Sequence, residues 1–350
     1  MEPVRLGVIG CGVIGRTHVR IAAESPLLIP VAVADVREPV AQEVAAQFGV
    51  AQAYGSASAL LADRAVEAVV VALPAAGRVD LAVQSLVAGK HLLVEKPVAM
   101  NAAEVRQMIA QRGSLVAACC SSRMRSLASA AAATAFLATG AVGTLRVVRC
   151  RALKAAGAVP TAAPPVWRLN RALNGGGILM NWGCYDLDYL LGITGWSLRP
   201  RLVLAQTWGV PDVFSAHVAP GSDAEAHVTA LITCDHGVVL SFERGEFVAA
   251  EGDEAWQVLG DRGALRLHMP PRPEKKMVFD EATPQGVVSR TIWQGDEAWG
   301  MDHLGVLEDF ARAVRTSGPA RTTLEQALLV QQITDAIYTS AARGTAIAVE

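Results

Sequence analysis

The sequence predicts an α/β fold in two parts: a doubly wound parallel sheet over residues 1–123, and an α+β domain with a mainly antiparallel sheet over residues 124–350. Three observations predict it. Short apolar, β-branched runs alternate with helix-length stretches in the first part, as parallel βαβ units require. A Gly-x-Gly-x-x-Gly turn joins the first run to the first helical stretch. In the second part the strand-like runs follow one another without helix-length spacers, as antiparallel strands can. A chain of 350 residues suits two domains of ~100–200 residues each.

The first strand is Val4 to Ile9, and the loop Gly10-Cys11-Gly12-Val13-Ile14-Gly15 leads from it into helix-compatible residues through Ala23. Gly10 permits the tight turn, Gly12 lets a pyrophosphate approach the backbone, and Gly15 lets helix and strand pack closely. Free N–H groups at the helix start then bind the phosphates. A second strand, Pro30 to Ala34, ends in Asp35, about 25 residues after Gly10 and close to the ~20-residue offset of a ribose-binding acid. Together these mark a Rossmann domain. Asp35 accepts ribose hydrogen bonds and repels a 2′-phosphate, so the cofactor is read as NAD; Arg37, beyond Val36, keeps NADP as the alternative. A helix from Pro39 to Phe48, a strand from Val66 to Leu73 ending at Pro74, and a helix from Arg78 to Ala88 continue the pattern. Then comes Gly89-Lys90-His91-Leu92-Leu93-Val94-Glu95-Lys96-Pro97, a buried-strand run that delivers Glu95 and Lys96 to the carboxyl end of the sheet, where ligands bind. Leu115 to Cys120 is the next strand. Thr144–Leu153, Arg201–Thr207, Ala226–Cys234 and Val238–Glu243 are strand candidates of the second sheet.

Composition excludes several function classes. Hydrophobic residues make up 52% and charged residues 18%, which rules out general disorder and allows a sizeable core. The net charge of −2 gives no field favouring nucleic acid or an anionic membrane. The longest uncharged helical candidate, Leu127–Val142, contains Ser129, Thr134, Thr139 and Gly140 and falls short of the ~20 apolar residues of a membrane span. No signal-peptide pattern opens the chain, so the expected compartment is the cytoplasm. Cys11, Cys119, Cys120, Cys150, Cys184 and Cys234 form no CxxC pair and the seven histidines form no HExxH motif. No metal site is expected, and the cysteines read as small apolar filler.

The glycine loop, Ala88-Gly89-Lys90-His91 and Glu95-Lys96-Pro97 resemble the Gfo/Idh/MocA family of glucose-fructose oxidoreductase, inositol dehydrogenase and rhizopine catabolism proteins. Trp167-Arg168, followed by Gly175-Gly176-Gly177 through Asn181, Tyr185 and Asp188, resembles that family's glycine-triplet signature, and Glu308-Asp309-Phe310 and Ile337-Tyr338-Thr339-Ser340 resemble its closing helices. The resemblance implies hydride transfer between a nicotinamide cofactor and a secondary hydroxyl or ketone of a sugar, sugar derivative or cyclitol. It assigns proton transfer and alkoxide stabilisation to Lys96 and Tyr185. A phenol of reference pKa about 10 is lowered by a nearby ammonium.

Asn181 departs from the family's usual Asp. It either orients a substrate hydroxyl or caps the helix, and it lies four residues before Tyr185, one α-helical turn. Asp188 reads as a structural acceptor. Arg78 replaces a histidine frequent in the family and reads as structural. Arg123, Trp167 and Arg168 are the remaining substrate candidates, with Lys96, Asn181 and Tyr185. The resemblance also implies that the second sheet is open and that a homodimer or homotetramer forms through its open face. Two other functions fit the same pattern: a cofactor-binding sugar sensor without turnover, which Asn181 motivates, and a glycosidase using NAD for transient oxidation.

Overall fold

β1 (Val4–Ile9) is buried along almost its whole length, as a central parallel strand must be, and passes through the glycine loop into α1 (Val13–Glu24). The structure, a computed structural model, describes residues 1–162 and 164–350. The first unit continues with β2 (Leu28–Ala34), α2 (Glu38–Phe48), β3 (Gln52–Tyr54), α3 (Ala57–Ala62), β4 (Ala68–Val71), α4 (Arg78–Val87), β5 (His91–Val94), α5 (Ala102–Gln111) and β6 (Ala117–Cys119). Its strands form one parallel sheet in the order β3-β2-β1-β4-β5-β6. The order reverses between β1 and β4, which is the topological switch point where such sheets bind ligands. β4 is shorter than the Val66–Leu73 run because the residues flanking it turn into loops, and β3 and α3 have no counterpart in the sequence reading.

The second part contains α6 (Ala128–Ala138), β7 (Leu145–Ala155), α7 (Arg171–Asn174), a π-helical turn (Leu179–Gly183) and α8 (Cys184–Ile193). There follow β8 (Pro200–Trp208), β9 (His227–Cys234), β10 (Val239–Val248), β11 (Asp253–Gly260), β12 (Gly263–Leu267), β13 (Lys275–Thr283) and β14 (Gly286–Gly295). The chain closes with α9 (Met301–Thr316), α10 (Leu324–Arg343) and β15 (Ile347–Ala348). The second sheet runs β14-β13-β12-β11-β7-β10-β9-β8-β15. It is open and antiparallel except for the parallel pair β7 and β10. Every residue of α8 is buried.

By packing, the chain divides into Met1–Arg123 with Gly300–Leu329, and Met124–Trp299 with Val330–Glu350. The sequence reading put everything after residue 123 into the second domain, and Gly300–Leu329 corrects it. The cause is α9: Val306, Leu307, Phe310, Ala311 and Val314 share one buried cluster with Val4, Leu6, Val8 and Val19. Among the described residues no helix is long and apolar enough to cross a membrane.

Candidate active site

The glycine loop has the shape its spacing requires. Gly10 sits at φ +96°, and a Cβ there would fall 2.5 Å from the Ala72 carbonyl oxygen; one on Gly15 would fall 1.7 Å from that of Gly10. Gly12 instead faces open space. No side chain caps α1, so its first N–H groups remain available to a phosphate. The Asp35 carboxylate accepts the Cys11 N–H at 2.9 Å through Oδ2 and the Arg37 N–H at 2.9 Å through Oδ1, which fixes the acid at the end of β2. The Arg37 side chain is solvated, its Nε 3.7 Å from Asp35. Val13 and Val36 are exposed apolar side chains beside the loop, and Ile14 is half-buried. Cys11 is buried with its thiol towards the Ala34 carbonyl, and burial, helped by Asp35, pushes that thiol up to about 11, so it is inert filler. An open face over Gly12, an uncapped helix start and a fixed acid fit a dinucleotide.

At the end of β5, Lys96 is placed by its backbone. Its N–H donates to Glu95 Oε2 at 2.9 Å, while Glu95 Oε1 meets His18 Nε2 at 2.8 Å. Glu95, expected at the cofactor, is 4% exposed and uses both carboxylate oxygens in this way. Burial pushes its carboxyl up, but His18, Arg123 and Lys96 outweigh that and hold it well below the usual carboxylate range. Arg78 is buried at the start of α4, where its guanidinium donates to the carbonyls of Leu73, Glu95 and Pro97. The loop after β4 and both flanks of Lys96 are thus tied to one side chain, and Arg78 is structural as its sequence position suggested.

Arg123 follows β6 and forms a buried ion pair with Asp302, Nε to Oδ2 at 2.7 Å. The neighbouring His303 packs edge-on against His18, ring centroids 6.0 Å apart. His18, Glu95 and Cys120 hold the one grouping of potential metal-ligand atoms among the described residues. Burial raises the Cys120 thiol well above its ordinary range and His18 is already bonded to Glu95, so the group is a buried hydrogen-bonded core. All six cysteines are buried and free.

The second unit carries the other expected residues. The buried Glu225 carboxylate accepts the N–H groups of Gly177 at 2.9 Å and Leu179 at 3.1 Å and the hydroxyl of Tyr338 at 2.8 Å. A Cβ on Gly177 would lie 1.8 Å from the Glu225 carbonyl oxygen, which is why glycine is needed there. The triplet opens into the π turn that holds Asn181, whose N–H donates to the Gly177 carbonyl at 2.9 Å. This corrects two expectations. Asn181 lies inside the helix and is not its cap, and Asn181 to Tyr185 straddles a π-to-α transition instead of one α turn.

Tyr185 is buried at the start of α8, its ring 5.7 Å from that of Trp182 in an edge contact. Asp188 is a structural acceptor, ion-paired with Arg125 at 2.6 Å. Asp186 receives the Trp256 indole N–H at 3.0 Å and lies 3.5 Å from Arg244; burial raises its carboxyl, opposed by both partners. Arg168 is ion-paired with Glu246, and Trp167 is exposed. The sequence reading missed His18, Glu225, Arg244 and Glu246, each a lone polar residue whose partner lies far along the chain.

Residues 4–115 match the model described as the oxidoreductase family, NAD-binding Rossmann fold, and residues 130–266 match the GFO/IDH/MocA C-terminal domain. The chain is 23% identical to the levoglucosan dehydrogenase of Pseudarthrobacter phenanthrenivorans, over 98% of this chain and 97% of that protein. It is 29% identical to the dTDP-3,4-didehydro-2,6-dideoxy-alpha-D-glucose 3-reductase of Streptomyces violaceoruber, over 97% and 96% of the two chains. A solved levoglucosan dehydrogenase complexed with NADH and levoglucosan superposes over 100% of both chains with a TM-score of 0.84 at 21% identity. With both of its parts matched in order, the chain belongs to the Gfo/Idh/MocA family of oxidoreductases.

Proposed function

We propose that this oxidoreductase transfers hydride between NAD and a secondary hydroxyl, or the corresponding ketone, of a sugar, sugar derivative or cyclitol. The observation that carries the reading is Lys96, its amide fixed by Glu95 and its flanking carbonyls by Arg78, at the ligand-binding end of a dinucleotide sheet. The names of the two relatives, a sugar dehydrogenase and a nucleotide-sugar reductase, support the substrate class. Gly10, Cys11, Gly12, Val13, Ile14 and Gly15 would hold the pyrophosphate, Asp35, Val36 and Arg37 the adenosine end, and Leu73, Pro74 and Lys96 the approach to the nicotinamide, with Glu95 behind them fixing the Lys96 amide. When bound, the nicotinamide accepts or returns the hydride.

The Lys96 ammonium stabilises the alkoxide that develops on the reacting oxygen, and the Tyr185 phenol exchanges the hydroxyl proton. Asn181 offers a donor and an acceptor to a neighbouring hydroxyl but cannot take up a proton. Arg123, Trp167 and Arg168 contact the rest of the substrate. Asp35 selects NAD over NADP.

The test is an assay of purified protein with NAD or NADP against D-glucose, D-xylose, levoglucosan and myo-inositol, followed by NADH formation. Reduction of NAD by at least one of them, with a higher kcat/KM for NAD than for NADP, is expected. Tight NADH binding without turnover of any polyol would overturn the enzyme reading in favour of a sensor.

A further inference from the structure

The inward face of β10 changes character along its length. Leu240 and Phe242 belong to the buried core, and the next two positions on that face are Arg244 and Glu246, each 8% exposed. Both retain unfilled hydrogen-bonding capacity. Nε and Nη1 of Arg244 and Oε1 of Glu246 are buried with no hydrogen-bond partner, although a buried polar atom normally has one. The Arg244 guanidinium lies over the Trp182 ring at 4.7 Å and 3.5 Å from Asp186, while the other Glu246 oxygen is taken by Arg168. Two guanidinium groups thus face two carboxylates.

We infer that Arg244 and Glu246 form a binding subsite for a neutral polyol, with Arg244 donating to one hydroxyl oxygen and Glu246 accepting the proton of another. The chemistry narrows the ligand to hydroxyl groups. A carboxylate or phosphate satisfies Arg244 but has no proton for Glu246, and it would bring a third negative charge beside Asp186 and Glu246. An ammonium satisfies Glu246 but gives Arg244 nothing to donate to. A hydroxyl both accepts and donates. Residues i and i+2 on a strand are about 7 Å apart, a separation that two hydroxyls of one ring bridge. Trp182, which carries Arg244 on its ring, also touches the edge of Tyr185. The subsite therefore belongs to the same substrate as the proposed proton transfer and rests on that reading, which it deepens by making Arg244 and Glu246 determinants of polyol recognition.

The NADH-loaded wild-type protein cannot oxidise an alcohol, so calorimetric titration with D-glucose, D-xylose, levoglucosan, myo-inositol and D-gluconate reads binding alone. A neutral polyol is expected to bind, and Arg244→Lys and Glu246→Ala are each expected to weaken it roughly 10- to 100-fold, the scale of a lost charge-assisted hydrogen bond. Glu246→Gln keeps the size of the side chain but removes the charge and turns one acceptor oxygen into an NH2 donor. One monodeoxy analogue of the bound polyol is expected to lose affinity for the wild type but to suffer no further loss with Glu246→Ala, which a merely structural role for Glu246 would not produce. Unchanged polyol affinity in well-folded Glu246→Gln and Glu246→Ala would mean that water satisfies these atoms and would overturn the subsite. So would D-gluconate binding tenfold more tightly than D-glucose, or no polyol binding at all. Polyol binding lost in the variants, but with no NAD reduction by the wild type, would leave the subsite standing and overturn only the hydride-transfer reading.

Discussion

The ammonium of Lys96 is the charge on which the proposed chemistry depends, and Lys96→Ala is expected to lower kcat by ~100-fold or more in steady-state assays with the best polyol, with NADH affinity by fluorescence little changed. The pair behind it answers to stability. Because the Glu95 carboxyl is held low in the folded protein, its contribution is present above the unfolded value of about 4.3 and is lost as pH falls. Glu95→Gln breaks a buried pair and is expected to cost about 3–5 kcal/mol in denaturant titrations at pH 7. His303 acts through the opposite charge in the same pH direction. Burial and the nearby Arg123 push it down to about 4, so between the unfolded value of about 6.5 and pH 4 the unfolded chain takes up the proton first and acid weakens the fold. His303→Asn is expected to flatten the fall of Tm between pH 7 and pH 4. Lys96 was legible from the sequence but the roles of Glu95 and His303 were not, because Glu95 at a strand end looks like a ligand contact until His18, 77 residues earlier, is seen against it.

At the scale of elements, the π turn and α8 hang from Glu225, and Gly177→Ala must move that carbonyl or the turn itself. A loss of about 1–3 kcal/mol or more is expected in thermal or denaturant melts, together with a reduced kcat as Asn181 and Tyr185 shift. The parallel strands were legible because both faces are buried and the apolar runs are continuous, which is why β1 begins and ends where the pattern does. β3 and α3 were not, being too short to display a period. β10 is instructive: the apolar pattern stops at Glu243, yet the strand runs on to Val248 through Arg244, Gly245 and Glu246. Local pattern and observed structure part company at buried polar residues, where function commonly overrides a packing rule. The π turn was illegible for a related reason, since a single extra residue in a turn leaves the hydrophobic periodicity nearly intact.

For the whole molecule, the second sheet presents Leu202, Leu204 and Leu231 at 47%, 51% and 50% exposure, with Leu204 paired across to Leu231. Contiguous apolar side chains exposed on an open sheet are the kind of patch that association covers. A homodimer or homotetramer is expected by light scattering at micromolar concentration, and Leu204→Glu with Leu231→Glu is expected to shift it to monomer. The return of Gly300–Leu329 to the first unit has a different consequence. A fragment ending at residue 123 would leave the cluster around Val4, Val8 and Val19 without Phe310 and Leu307, so it is expected to be a molten, dye-binding species when expressed alone. Fragment complementation with residues 300–329 supplied as a separate peptide should restore cooperative melting, and chimaeras exchanging the cofactor half between relatives would need three junctions instead of one.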